Sequence, residues 1–557
     1  MQAVCLRNSY SENYTIHAFF RAREGERTMS LNRLLAKKSV ARIQQEAMQN
    51  PLKRSLGKWN LLSLGIGCII GAGIFVMTGT ASAQYAGPAI MISFVIAGLA
   101  CAFAGLCYAE LASVLPISGS AYTYTYATLG EVFAWVMGWL LVLEYGLAAS
   151  TVAVGWSGYV VSFVQGFGLH IPVEWTTATG IEMMQIPDGS WHMVSDTLLG
   201  ELAKDSVDVA LLPTTTGIIN LPAFLGIAAV SGLLVLGVSE SVTVNNIIVA
   251  IKVAVIIAFI ALGVFYVNTD NWVPFIPENT GVSGQYGWSG VFRAASVIFF
   301  AYVGFEAVST AAQEAKNPQK DMPFGILGAL VVCTVLYMLV SAVLTGVVHF
   351  SKLNVADPMA VAVDAIGLGW FSFIIKVGAI MGLTSVMLVL LYGQTRIFYI
   401  ISRDGLLPKL FSTVHKKFHT PWINTIFVGV LVAIAAAMTP IGVLGDLVSL
   451  GTLAAFMMVC FSVLYLRIKQ PELERPFRTP GMPWVPVCGM LSSGGLIVAM
   501  FLSESGQHML HFLPWYLGAG ALIYVFYGYR HSKLSQGEPP LEGDTEFVKE
   551  EHEIRVD

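Results

Sequence analysis

Lys252, Glu306 and Glu144 each interrupt a long apolar run. A charged side chain at bilayer depth costs ~2.5–3.5 kcal/mol on insertion scales, so each is a functional candidate by its position. Lys252 lies about two turns in from the polar end marked by Asn245-Asn246. Desolvation disfavours its ammonium, which suits it to take up and release a proton; the alternative is an anchor snorkelling to the interface. Glu306 follows Val303-Gly304-Phe305. A carboxylate there could meet the ammonium end of a cationic solute, change protonation as a solute passes, or serve as a buried structural carboxyl. Glu144-Tyr145-Gly146 could line the same cavity or pair with Lys252 or with a basic solute. Arg293, near the outer end of its run, and Lys376, which can snorkel, are set aside.

The element that must position these groups is marked by Gly71-Ala72-Gly73, in the middle of the apolar stretch 59–79. Two glycines around one alanine remove side-chain cover and helix propensity. A backbone break at that depth is tolerable where protein or a water-filled cavity meets the freed N–H and C=O groups. It therefore points to a solute site at the midplane on a discontinuous helix. A close helix contact through small residues is the alternative. Exposed N–H groups and the positive end of a half-helix suit a carboxylate ligand.

Composition agrees with a membrane setting: 55% of residues are hydrophobic and 12% charged, with a mean hydropathy of +0.68, far from the soluble balance of roughly a quarter charged. Twelve membrane-length runs can be bracketed near 59–79, 88–113, 127–160, 220–238, 244–267, 290–312, 324–349, 369–398, 420–438, 446–466, 484–504 and 510–530. With the N-terminus inside, 26 of the 31 Lys and Arg fall in inner segments and only Lys204 and Lys352 in outer ones. This asymmetry places both termini in the cytoplasm. The glycine-marked first and sixth spans suggest two inverted five-helix halves whose broken helices face each other. The expected fold class is an all-α polytopic membrane protein of twelve transmembrane helices. It has a 5+5 inverted repeat, discontinuous first and sixth helices and two extra C-terminal helices.

The domains expected on this plan are a cytoplasmic tail (1–58), a first repeat (59–267), a second repeat (268–466), helices eleven and twelve (467–530) and an acidic cytoplasmic tail (531–557). Arg33–Lys58 carries alternating charge and reads as an amphipathic surface helix or a solvated tail. No cleavable signal peptide is visible, and Met29 reads as an alternative start. The seven cysteines show no extracellular pair or CxxC, and the ten histidines are scattered. Disulfides, a metal site and a cofactor are therefore not expected, nor is a nucleic-acid partner. No nucleophile with a base and no phosphate loop argues for an enzyme.

Three segments together carry a family resemblance. Gly65-Ile66-Gly67-Cys68-Ile69-Ile70-Gly71-Ala72-Gly73-Ile74-Phe75, Ala301-Tyr302-Val303-Gly304-Phe305-Glu306-Ala307 with Glu314-Ala315-Lys316-Asn317-Pro318, and Gly382-Leu383-Thr384-Ser385 through Ser402-Arg403-Asp404-Gly405 resemble the amino acid, polyamine and organocation (APC) permease superfamily. The last segment is similar to bacterial cationic amino acid transporters. The likeness covers about residues 50–530. It implies that Ile70, Gly71, Ala72, Gly73 and Ile74 hold the α-carboxylate and α-amino group, with Phe300 and Val303 shaping the pocket. It implies that Lys252 places its ammonium where sodium sits in sodium-driven relatives, with Thr384 and Ser385 beside it. Glu306 departs from the usual aspartate. The outer loop 165–220 is longer than the resemblance requires; Glu174, Glu182, Asp188, Asp196, Glu201, Asp205 and Asp208 make it acidic, as a steering vestibule or a solvated surface.

The resulting expectation is a proton-coupled permease of a bacterial inner membrane. Cationic amino acids are its first choice of substrate and small neutral ones the second. Its partners are the amino acid, protons and the lipid bilayer, with a small membrane subunit left open. An obligate exchanger and a membrane amino acid sensor are the rival readings.

Overall fold

The computed structural model describes residues 36–37, 56–115, 120–187, 189–194, 198–200, 202, 207–237, 242–418 and 420–536. Most of the amphipathic segment expected over Arg33–Lys58, and most of the acidic tail, lie outside them.

Helix α1 (Lys58–Ile69) ends where Ile70 turns to an extended backbone, ψ 94°. The chain resumes at Gly73–Met77 as a π-type turn and stays helical to Ala86. Gly87, at φ +58°, bends it before Pro88 opens the way into α2 (Ile90–Val114). Glycine is the residue that adopts such a φ without a steric penalty. After α3 (Ser120–Thr128), Gly130 at φ +107° turns the chain into α4 (Glu131–Leu141). A π-type stretch, Val142–Leu147, carries Glu144 and leads into α5 (Ala148–Gln165).

The loop 165–220 departs from the all-helical expectation. It holds a three-stranded antiparallel sheet of β1 (Glu182–Gln185), β2 (Trp191–Met193) and β3 (Thr214–Thr216), in the order β2-β1-β3. Of its seven acidic residues, Asp188, Asp196, Glu201 and Asp205 lie outside the described residues.

Helix α6 (Leu221–Val235) is capped by Asn220, whose side chain accepts from the Ala223 N–H at 3.1 Å. Then come α7 (Val242–Gly263) and α8 (Gly287–Ile298). Helix α8 passes through a 3₁₀ turn, Phe299–Tyr302, breaks at Val303–Phe305, and continues as the 3₁₀ stretch Glu306–Glu314. Helices α9 (Pro318–Val347), α10 (Pro358–Ala365), α11 (Gly369–Arg403), α12 (Trp422–Met438), α13 (Ile441–Lys469), α14 (Trp484–Phe501) and α15 (Glu504–Ile523) follow. Proline at the first turn of α6, α9 and α10 costs no hydrogen bond there.

Among the described residues, nine helical stretches are long and apolar enough to cross a membrane, and α6 and α12 are shorter apolar helices. The expected first span is not one helix, because the break after Ile69 leaves its second half running into α2. The sixth span, Gly287–Ser309, is 94% buried over its most apolar window, whereas the last, Met509–His531, is 17% buried. The sixth span is thus central and the last peripheral. Val331, Val335 and Leu339 on α9, and Ile426, Val430 and Ile434 on α12, form exposed apolar stripes at helical spacing. In water such stripes would be a liability; in a bilayer they face lipid.

Candidate functional site

The first and sixth spans meet at their breaks, and glycine sets the approach. A Cβ on Gly73 would lie 2.3 Å from the Ala301 Cβ and 2.4 Å from its Cα. A Cβ on Gly304, at φ +113°, would lie 2.9 Å from the Cys68 Cβ and 3.0 Å from its backbone C and O. Each broken helix therefore needs a bare backbone where the other crosses it. Tyr337 of α9 ties both together: its hydroxyl lies 2.8 Å from the Ile69 carbonyl oxygen and 3.0 Å from that of Ala301. A single O–H serves two carbonyls freed by the breaks.

Between the breaks is a cavity lined by Gly71, Ala72 and Gly73 from the first span and Phe300 and Val303 from the sixth. It has room for about one water in this state. The walls that complete it, Ala148 and Val152 on α5 and Val386 and Leu390 on α11, were not anticipated from sequence. Small and branched apolar residues inside membrane helices carry no signal that separates cavity walls from lipid-facing surface. Ile70 and Ile74 are fully buried at the break and outside the lining.

Lys252 is fully buried. Its Nζ donates to the Gly67 carbonyl at 2.7 Å and to the Ile70 carbonyl at 3.2 Å, at the end of α1. Gly382 makes room for the lysine stem, since a Cβ there would stand 2.5 Å from Cδ. Ser385, buried, lies one turn further along the same face of α11. Thr384 turns elsewhere: its hydroxyl accepts from the Trp156 indole N–H at 3.0 Å and donates to the Ile380 carbonyl at 2.7 Å.

Glu306 does not line the cavity. Its carboxylate folds back onto the helix break, where the Gly304 N–H donates to Oε1 at 3.1 Å and Oε2 at 3.0 Å. Glu306 is the first residue of the 3₁₀ stretch, where a negative charge meets the positive end of the dipole. Glu144 is fully buried, and neither of its oxygens has a hydrogen-bond partner among the described residues. The pairing with Lys252 that the sequence left open is therefore absent here.

On the other side of the cavity, Arg293 is a buried, paired charge rather than an interfacial one. Although near the end of its span, it is 1% exposed, and its guanidinium donates to Asp446 Oδ2 at 2.5 Å. The Tyr85 ring lies 5.1 Å from the guanidinium carbon. This pair links α8 to α13. Its partner, Asp446, falls at the edge of an apolar run, so nothing in the sequence joins the two. Lys376 is mostly buried, with its Nζ 3.9 Å from Asp364.

Just before α1, the Leu56 N–H donates to the Glu314 carbonyl at 2.9 Å and the Lys316 N–H to the Leu56 carbonyl at 2.8 Å. The chain before α1 is thereby strapped to the end of the sixth span. Burial raises the Glu314 carboxyl above its usual range, and the Arg396 charge partly offsets this. Among the described residues no group of three or more metal-ligating side chains is found.

A family model described as amino acid permease matches residues 56–527. The chain is 46% identical over 489 residues to the branched-chain amino acid permease BcaP of Bacillus subtilis (strain 168), covering 88% of this chain and 96% of that one. It is 44% identical over 506 residues to the methylthioribose transporter of the same organism, covering 91% and 100%. It is 36% identical over 445 residues to the vacuolar cationic amino acid transporter 4 of Arabidopsis thaliana, covering 79% and 68%.

Proposed function

The chain belongs to the amino acid permease family, and on that premise we propose that it is a proton-coupled amino acid carrier of a bacterial inner membrane, working by alternating access with both termini inside. The observation that carries the coupling is the fully buried Lys252 ammonium donating to the Gly67 and Ile70 carbonyls at the break of a cavity-lining helix. Protonated, the lysine satisfies carbonyls that the break leaves free. Deprotonated, it lets them go, and the first helix loosens around the site. One proton on Lys252 is thus tied to one arrangement of the substrate-holding backbone. On this reading the broken first helix counts with the other apolar helices as twelve spans, in two five-helix repeats followed by two more helices.

The substrate's α-carboxylate meets the N–H groups around Gly71–Gly73. Its ammonium meets carbonyls freed at the sixth-span break, and its side chain lies against Val303, Val386 and Leu390. This apolar lining favours an uncharged apolar side chain, in line with the relative named as a branched-chain permease. A cationic side chain is favoured by the resemblance of the 382–408 segment to cationic transporters and by Glu306, but the Glu306 oxygens are engaged by the Gly304 N–H. Cationic substrates therefore rank second.

The test is uptake of labelled leucine, arginine and methylthioribose into empty proteoliposomes without sodium, with and without an inward proton gradient. Gradient-stimulated leucine uptake that is lost in Lys252→Ala, while leucine exchange persists, is the expected result. Uptake that needs preloaded amino acid would make the protein an exchanger. Gradient-driven uptake surviving in Lys252→Ala would remove the lysine from the coupling step.

A further inference from the structure

One helical turn from the cavity, on the side of Glu306, buried polar groups gather without partners. Glu144 lies four residues before Ala148, and Gln394 four residues after Leu390, both of which line the cavity. The Glu144 oxygens, the Tyr145 and Tyr108 hydroxyls and both polar atoms of the Gln394 amide have no hydrogen-bond partner among the described residues. A Cβ on Gly146 would stand 3.7 Å from Gln394 Oε1, and one on Gly451 3.5 Å from the Glu144 backbone nitrogen, so α11 and α13 both close on this level. The Glu144 carboxyl faces Glu306 and Thr452.

A buried polar group left without a partner costs about 1–3 kcal/mol, and an unpaired ionised carboxylate costs several. Two facing carboxylates in a dry site do not both ionise. Glu306 has the Gly304 N–H and a half-helix start to hold a negative charge, and Glu144 has neither. The titratable groups facing Glu144 are Glu306 on the sixth span, Tyr108 on α2 and the adjacent Tyr145. The tyrosines are neutral near pH 7, so the charge that Glu144 meets is that of Glu306. Lys252 is bonded to the Gly67 and Ile70 carbonyls instead.

We infer that Glu144 is a proton-binding site loaded from the cytoplasm each time the inner path closes, distinct from Lys252. In the closed state Glu144 is the neutral acid. When the inner path opens, water reaches the pair and accepts the O–H proton, leaving a hydrated carboxylate. Closure then requires that a proton return from the same side, because the outer side lies beyond the Arg293–Asp446 pair. This proton cycles across one face and adds nothing to the net stoichiometry. Its consequence is that transport slows as the cytoplasm becomes alkaline. The inference rests on the carrier reading above but not on Lys252.

The experiment is exchange of labelled for unlabelled leucine in inside-out membrane vesicles, with the internal pH fixed and the external pH, which bathes the cytoplasmic face, varied. Wild-type exchange is expected to fall toward about tenfold per pH unit at the alkaline end, the limit for one required proton. Glu144→Gln is expected to lose that slope. A flat wild-type profile, or a Glu144→Gln variant with the wild-type slope, overturns the inference. Because exchange needs no gradient, it reads Glu144 even if Lys252→Ala retains coupled uptake. If Glu144→Gln does not fold, the infrared spectrum of the wild-type protein decides: a buried carboxylic-acid C=O band is expected at neutral pH, and its absence overturns the inference.

Discussion

Gly71 and Gly73 lie two residues apart and should fail in opposite ways when replaced by alanine. At Gly73 the new Cβ would stand 2.3 Å and 2.4 Å from the Ala301 Cβ and Cα, against about 3.5–4.0 Å for an unstrained carbon contact. The first and sixth spans would have to separate by over ~1 Å, and backbone on one side leaves no flexible side chain to yield. Overpacking of this kind costs about 1–3 kcal/mol, more than the ~1 kcal/mol that alanine gains over glycine in helix propensity. Gly73→Ala should therefore lower the melting temperature and abolish uptake. At Gly71 the nearest atom is Val386 Cγ1 at 3.5 Å, an ordinary contact, so Gly71→Ala should melt near wild type. Its methyl, however, enters a cavity with room for about one water, so it should weaken leucine binding. Thermal unfolding followed by size-exclusion fluorescence, with leucine uptake on the same samples, separates the two. Gly73→Ala with wild-type melting and uptake, or Gly71→Ala melting below Gly73→Ala, would refute the argument that the crossing of the two breaks sets these positions.

Arg293→Met should destabilise by about 3–5 kcal/mol because Asp446 stays buried without its cation, and adding Asp446→Leu should recover much of the loss in the same melting assay. Tyr337→Phe strips the hydroxyl that serves the Ile69 and Ala301 carbonyls and should cost about 1–3 kcal/mol, with a matching loss of leucine affinity by equilibrium binding. At the start of α10, burial pushes the Asp357 carboxyl up to about 6 from 3.8, while the Ser162 hydroxyl and the Lys376 charge pull it down. The folded state therefore holds this proton more tightly than the unfolded state, and stability should rise as pH falls from about 6 toward 3.8. Asp357→Asn should remove that part of the pH dependence when melting temperature is followed across the window.

Sequence alone determined the membrane class, the positions of most apolar helices and the two places where a helix must break. Hydropathy is a local sum, and a Gly-Ala-Gly triplet or a glycine beside a glutamate in an apolar run is visible without any contact. The lysine that serves the first break was legible for the same reason, since a charge in hydrocarbon stands out wherever it points. Tertiary structure decided what those groups touch. Glu306 reads in sequence as a carboxylate for a solute, a group that changes protonation or a buried structural carboxyl, and only the fold shows its oxygens turned back to the Gly304 N–H. Arg293 reads as an interfacial charge, yet Asp446, 153 residues away, holds it buried. Val152, Val386 and Leu390 become cavity walls because two distant helices bring them to the breaks. Such pairings depend on helix rotation and crossing, which are set by packing between segments far apart in the chain and leave no mark on the order of residues within any one of them.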